Sequence, residues 1–211
     1  TGPAKKRPYN GGLWAWPDWY LIRDYCVGFI VNWGVHHLDI ANWGCPAVTS
    51  EPCQLEFKGS YRNDGLTDNI LDWAGEFRYE SGLKMAYSDT GHPYEQGCKF
   101  IGDEGWVHVD RTRIKAEPES LLKVELKSSD VPLDAGATGS HYNNFLECVR
   151  SRRDPIAPVE GGVQASYLGM IAEISIKLGR KLRWNPKTET FIDDAEANAL
   201  LSATMRNPWK L

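Results

Sequence analysis

The sequence predicts an α+β fold, a two-layer sandwich in which an open-faced, mainly antiparallel β-sheet carries helices on one face. Three observations predict it. A helical segment comes early, alternating apolar and polar residues follow in the middle, and helical periodicity returns in the last third. The chain has 211 residues, enough for one sizeable domain or two very small ones.

Residues 1–20 are predicted to be an irregular segment that leads into a single domain spanning 21–211. Glycines and prolines interrupt this segment, which also contains three tryptophans, Trp14, Trp16 and Trp19. Three such rings are too apolar for a free linker, so we expect them to pack onto the domain.

Periodicity and stop signals predict the individual elements. The predicted helices are 28–43, ending at Gly44, then 141–152, 164–178 with Gly179 as its stop, and a short helix capped by Asp193 or Asp194 that runs to Leu201. The predicted strands are 53–58, 71–79 with Leu71 on its apolar side, 83–87 after a turn at 80–82, two short strands around 100 and 107–109, and a weaker one near 122–126. The second face of the sheet is expected to keep enough apolar and aromatic side chains to need a cover. A partner subunit is the simplest cover, which predicts a homo-dimer or tetramer through the sheet face.

Composition narrows the classes of function. Lys and Arg number 24 against 28 Asp and Glu, a net charge of −4 that argues against nucleic-acid binding. The chain has no apolar run of about 18 residues, so no membrane span is expected. Five cysteines without a C-x-x-C pair predict free thiols in a reducing, cytoplasmic setting. Export stays open because the sequence begins with Thr1. No G-x-G-x-x-G, P-loop or G-x-S-x-G pattern occurs.

The segment from Asp24 to Asp39 carries the most chemical information. On a helix, Asn32 and His36 are four residues apart and share a face. An amide one turn before a histidine can fix its ring, and a histidine so held can move a proton near neutral pH. His36 is therefore a candidate base with Asn32 as its partner. The alternative is a buried histidine that Asn32 satisfies. His37 and Asp39 are expected to serve helix packing or capping, and no metal site is expected.

Several motifs together resemble the Gfo/Idh/MocA family of glucose–fructose oxidoreductases and inositol dehydrogenases. In that family a Tyr-x-x-Gly stretch leads into a helix written Asp-x-Gly-x-His-x-x-Asp, and the segment from Tyr25 to Asp39 resembles it. The further similar segments are 100–111 around a Gly-Trp, 141–145, 151–160, 178–184 and 205–211. The resemblance covers the chain from about residue 8 to its end and is to the C-terminal substrate domain.

The resemblance implies part of an NAD(P)-dependent oxidoreductase that acts on a hydroxyl of a sugar, glycoside or cyclitol. In the family an N-terminal Rossmann domain binds NAD or NADP and carries a catalytic Lys in a Glu-Lys-Pro motif, which is absent here. This chain alone is therefore expected to bind no cofactor and to be inactive without such a domain of the same protein. His36 matches the family histidine that accepts a proton. Asn32 stands where the family has Asp, and an amide orients the ring without favouring its charged form.

Four more residues are candidates for substrate binding. Arg23 and Tyr25 precede the helix where the family places residues near the substrate, with an ordinary ion pair and a core phenol as the alternatives. Trp33 is a candidate for stacking on a sugar, against a place in the core. His141 is a candidate pocket residue, against a capping role at its helix. Two other functions stay open: an NAD-assisted glycoside hydrolase of the same family, and a non-catalytic carbohydrate-binding or assembly module.

Overall fold

The computed structural model describes residues 3–62, 65, 67–91, 94–125 and 140–208. It divides the chain into two compact units, Thr1–Gln96 with Ala165–Leu211, and Gly97–Gln164. Helices and antiparallel sheets are both present, which confirms the α+β class. Within the described ranges, no helix combines the length and the apolar character needed to cross a bilayer.

Strands and helices alternate along the chain in blocks. The strands are β1 Cys53–Tyr61, β2 Ile70–Tyr79, β3 Lys84–Ser88, β4 Cys98–Gly102, β5 Gly105–Val109, β6 Ile114–Glu117, β7 Leu182–Asn185 and β8 Thr190–Phe191. The helices are α1 Phe29–Asn32, α2 Gly34–Gly44, α3 Ala47–Ser50, α4 His141–Ser151, α5 Val159–Leu178 and α6 Ala195–Ala199. Short 3-10 helices cover Gly11–Trp14, Asp18–Leu21 and Glu119–Lys123.

The first unit is built on a five-stranded antiparallel sheet in the order β3-β2-β1-β7-β8. The predicted alternation is confirmed in β1, where Leu55 and Phe57 are buried and Leu55 pairs with Phe77 of β2. Leu71 does not lie on the buried side as expected. It is 37% exposed while Ile70 is fully buried, because the pairing of β1 and β2 shifts register at this end of the ladder.

One face of this sheet carries helix α5, as predicted. The Ser175 hydroxyl of α5 accepts a hydrogen bond from the backbone N–H of Phe57 at 3.1 Å. Ile176 contacts the sheet at Gly59, where an added Cβ would lie 3.1 Å from its Cδ1. Because Gly59 has no side chain, helix α5 can pack close to the sheet at this point.

The opposite face of the sheet is polar, so the expectation of an apolar and aromatic face was wrong. A groove of about 510 Å³ lies on it, lined mainly by charged and polar side chains of β1, β2 and β7 and their flanks, among them Gln54, Glu56, Lys58, Glu76, Arg78 and Lys181. Alternation explains the outcome, because each apolar residue that faces α5 leaves a charged neighbour on the other side.

The second unit contains a three-stranded antiparallel sheet in the order β4-β5-β6. The two strands around Phe100 and Val107 and the tight turn between them are confirmed. The weak strand near 122–126 was wrong over residues 122–125, because the 3-10 helix Glu119–Lys123 occupies this stretch, and Leu126 lies outside the described residues. Strand β6 was not predicted.

The helices agree more closely with prediction. The segment 28–43 is helical as α1 and α2, with Trp33 between them in helical geometry, and α2 ends at Gly44. Helix α4 is confirmed, and α5 starts at Val159, five residues before the predicted 164. The carboxylate of Asp194 caps α6 by accepting from the N–H of Ala197 at 3.0 Å.

The leading segment contains two of the 3-10 helices, and its tryptophans do not all pack as expected. Leu13 and Tyr20 take the buried positions, at 8% and 4% exposure. Trp14 and Trp16 are 64% and 66% exposed, so the packing predicted for them was wrong. A 3-10 turn buries only the side chain that faces the domain, and in these turns a leucine and a tyrosine face it.

Candidate functional site

Two glycines let helices α1 and α2 lie close to the sheet and to α5. A Cβ on Gly34 would lie 1.8 Å from the hydroxyl of Tyr87 on β3, and one on Gly169 of α5 would lie 2.5 Å from the carbonyl of Ile30. The Tyr87 hydroxyl donates to that Ile30 carbonyl at 2.5 Å. The helix pair that carries Asn32 and His36 is therefore fixed by close backbone packing and by a buried hydrogen bond.

The loop before α1 is held by one buried amide. Asn69, which is fully buried, donates from its side chain to the carbonyls of Cys26 at 2.8 Å and Tyr20 at 3.2 Å. Gly28 has a φ of +74°, and a Cβ there would lie 2.7 Å from the Asn69 side chain. Only glycine meets both the backbone angle and the space at this position, so the start of α1 is fixed against β2.

His36 is exposed and is not the buried histidine of the alternative reading. Its ring lies 5.4 Å from the ring of Trp33 in an edge-to-face arrangement. Asn32 is also exposed, and among the described residues its side chain makes no hydrogen bond with His36. Trp33 is 41% exposed, so it does not belong to the core. The structure thus brings these three side chains to one surface, with the indole rather than the amide against the imidazole.

Asp39 lies one turn after His36. Burial raises the pKa of Asp39 above its ordinary value, while the positive charge that His36 can carry acts in the opposite direction. A proton gained by His36 would therefore meet a nearby carboxylate. Asp39 joins Asn32 and Trp33 as a group that can influence this imidazole.

Arg23 forms the ion pair that was the alternative to substrate binding. Its guanidinium donates to both carboxylate oxygens of Glu173 on α5, at 2.5 Å and 2.9 Å, and Glu173 is only 4% exposed. Burial alone would lower the pKa of Arg23, but the hydrogen bonds and charge of Glu173 raise it above its ordinary value. Its backbone N–H also donates to Asp68 at 2.8 Å. A substrate role for Arg23 stays a prediction.

Two other candidates occupy different surroundings. The ring of Tyr25 is half-buried and lies 5.9 Å from the guanidinium carbon of Arg7. His141 is exposed and is the first residue of α4, in the second unit. The substrate roles proposed for both residues remain predictions.

Sequence reasoning missed the residues that hold this surface in place, namely Asn69, Tyr87 and Glu173. One of them left a signal in the sequence. Glu173 interrupts the apolar run of α5, and a carboxylate at a buried helix position calls for a charged partner. Asn69 and Tyr87 left none, because their partners are 43 and 57 residues away in the chain.

A comparison with protein-family models decides the family. Residues 1–211 match the model described as an oxidoreductase family, C-terminal alpha/beta domain, of the Gfo/Idh/MocA group. The chain belongs to the Gfo/Idh/MocA oxidoreductase family. The resemblance read from the sequence is therefore confirmed over the whole chain. A search of curated proteins finds no match.

Solved structures of other proteins have a similar fold. The aldose-aldose oxidoreductase of Caulobacter crescentus, complexed with glycerol, is 15% identical with a TM-score of 0.52, covering 84% of this chain and 52% of its own. The WlbA dehydrogenase of Bordetella pertussis, in complex with NADH and UDP-GlcNAcA, is 18% identical with a TM-score of 0.50, covering 75% and 45%. The chain spans about half the length of the solved structures that it matches.

The described part of this Gfo/Idh/MocA domain does not contain the classical dinucleotide site. Its strand pairs are antiparallel throughout the described ranges, whereas the classical dinucleotide site lies where parallel strands and their crossover helices diverge. We therefore assign the described residues no role in holding a nicotinamide cofactor.

Proposed function

We propose that this chain is the substrate domain of an NAD(P)-dependent oxidoreductase that acts on a hydroxyl of a sugar, glycoside or cyclitol. Membership in the oxidoreductase family supports the reaction class. The observation that carries the site is the exposed imidazole of His36, edge-on to Trp33, on a helix pair fixed by Gly34 and Gly169. The nicotinamide would accept a hydride and would be held by a domain outside this chain.

In this proposal His36 takes the proton of the reacting hydroxyl. Oxidation of an alcohol to a carbonyl removes a hydride from carbon and a proton from oxygen, so a base must face that oxygen. An exposed imidazole can meet a substrate directly, and Asp39 would stabilise the charge it gains. Asn32 offers an amide one turn away, which can hydrogen-bond the ring once substrate is bound or bind a neighbouring hydroxyl.

In this proposal the other candidates have supporting roles. Trp33 would pack against the apolar face of the sugar beside the base, because its ring is partly exposed next to His36. Arg23 and Tyr25 lie on the loop that Asn69 holds. Through Glu173, Arg23 would keep that loop in place and leave one side of its guanidinium for the substrate.

Turnover by the complete protein tests this proposal. NAD(P) reduction is followed on a panel of aldoses, methyl glycosides and cyclitols for the native protein, His36→Gln and His37→Gln. His36→Gln should lower kcat/KM by about 100-fold or more, the usual value of a positioned base, while the neighbouring histidine serves as the matched control. Unchanged turnover in His36→Gln would contradict the proposal. Glycoside cleavage without net reduction of NAD(P) would favour the hydrolase instead, and sugar binding without turnover the non-catalytic module.

A further inference from the structure

The tryptophans of the leading segment form an exposed aromatic surface that the proposed reaction does not use. Trp16 lies 6.3 Å from Trp19 and 4.9 Å from Tyr20, both edge-to-face, and is 66% exposed. Trp14 is 64% exposed and Trp19 is 37% exposed. Edge-to-face contacts leave a broad face of each indole available to a ligand. Contiguous exposed apolar surface commonly marks a binding site.

The tryptophan turn packs onto the residues that begin the helix pair of the candidate site. Tyr20 is 4% exposed, its carbonyl accepts from Asn69 at 3.2 Å, and its ring lies 4.8 Å from that of Phe29. Phe29 is the first residue of α1, one helical turn before Trp33 and the surface that carries His36. Asn69 thus fixes both the tryptophan turn and the start of α1, so both surfaces are preformed.

The charges around the tryptophans indicate a neutral ligand. Asp18 lies between Trp16 and Trp19 in the same turn and brings a negative charge. No lysine or arginine lies between Trp14 and Trp19, and Lys5, Lys6 and Arg7 lie earlier in the segment. A phosphate group binds best to unpaired arginines and lysines, so this arrangement disfavours a nucleotide sugar.

We propose that Trp16 and Trp19 bind a sugar ring of an extended neutral glycoside whose reacting ring lies at His36. The C–H bonds on one side of a pyranose are apolar and slightly positive, and they match the negative face of an indole. The inference rests on the proposed function and narrows its substrate class from sugars in general to neutral oligosaccharides or glycosides. It also separates this chain from the dehydrogenase whose structure contains UDP-GlcNAcA.

Calorimetric titration of the 211-residue chain tests the proposal without any need for turnover. The probes are cellotriose, maltotriose and chitotriose, with glucose and UDP-glucose as comparison ligands. At least one trisaccharide should bind more tightly than glucose, and Trp16→Ala should weaken that binding by about ten-fold, as expected for the loss of one aromatic anchor. Trp43→Ala is the matched control, because Trp43 is 51% exposed on α2 and outside the cluster, and it should change affinity by less than about two-fold.

Each other outcome overturns the proposal. These outcomes are no binding of any trisaccharide, equal affinities of Trp16→Ala and Trp43→Ala, and binding of UDP-glucose alone. Circular dichroism checks that Trp16→Ala is folded, and Trp19→Ala tests the second tryptophan of the surface. The two proposals fail separately. Normal turnover in His36→Gln with weakened binding in Trp16→Ala refutes only the reaction, and the reverse result refutes only the stacking surface.

Discussion

Replacing Gly34 with alanine should destabilise the domain, although alanine is the better helix former. The added Cβ would lie 1.8 Å from the Tyr87 hydroxyl and 3.0 Å from its Cζ, so the ring must move. That movement removes the hydrogen bond from Tyr87 to the buried carbonyl of Ile30. Burial also raises the pKa of Tyr87, so this hydroxyl stays protonated and remains a donor until the ring is displaced.

The magnitude follows from three contributions. Leaving a buried carbonyl without its donor costs about 1–3 kcal/mol. Displacing a ring in a packed core costs about 1–3 kcal/mol more. Alanine in place of glycine within a helix returns about 1 kcal/mol. We therefore expect Gly34→Ala to lower the free energy of unfolding by roughly 1–5 kcal/mol.

Urea denaturation followed by tryptophan fluorescence measures this change. Gly161→Ala is the matched control, because Gly161 is also helical and a Cβ there would meet nothing within 4 Å. It should be neutral or stabilising by up to about 1 kcal/mol. Adding Tyr87→Phe to Gly34→Ala removes the clashing hydroxyl, so the double variant should lose less than the sum of the single variants. If Gly34→Ala behaves like Gly161→Ala, the close packing that fixes the His36 helix is refuted.

Three further predictions concern charge. Arg23→Ala should cost about 3 kcal/mol of stability and Glu173→Gln less, because only the first leaves a buried carboxylate unpaired; the reverse order in denaturation curves would contradict this. Asp39→Asn should raise Tm at pH 7. The folded protein raises the pKa of Asp39, so the protonated carboxyl is tolerated at low pH, whereas the ionised carboxylate destabilises the fold as the pH rises. The gain in Tm from Asp39→Asn should therefore vanish below about pH 3.8, the ordinary pKa of the group. An equal gain in Tm at pH 7 and below pH 3.8 would refute this prediction. Because the outer sheet face is polar, a dimer or tetramer formed through it must depend on its charges, so Glu56→Lys, but not Glu119→Lys, should dissociate that assembly in light scattering. A native monomer at high concentration would exclude this assembly.

The sequence predicts the larger elements because their signals are local. Alternation in β1 and helical spacing in α2 and α4 arise within one element, and the structure agrees. Strands β7 and β8 have four and two residues, too few for alternation to be read. The start of α5 was missed because Val159 to Gly162 includes two glycines and no apolar stripe. The polar outer face was misjudged although its signal is local, because the polar residues that alternate with the apolar ones in β1 and β2 form it.

The candidate site divides in the same way. The spacing of Asn32 and His36 places them correctly on one helical surface, because an i, i+4 relation is local. The contact of Trp33 with His36, and the absence of an Asn32–His36 hydrogen bond among the described residues, depend on rotamers that spacing does not fix. The pairing of Arg23 with Glu173 joins residues 150 apart and follows only from the packing of α5.

The pH dependence of kcat/KM in the complete protein tests most directly the claim that His36 accepts the substrate proton. A protonated imidazole cannot act as a base, so activity of the native protein should fall on the acidic side. In His36→Gln the residual activity should be low and should lose that acidic fall. An acidic fall of the same shape in His36→Gln would show that another group accepts the proton and would contradict the account.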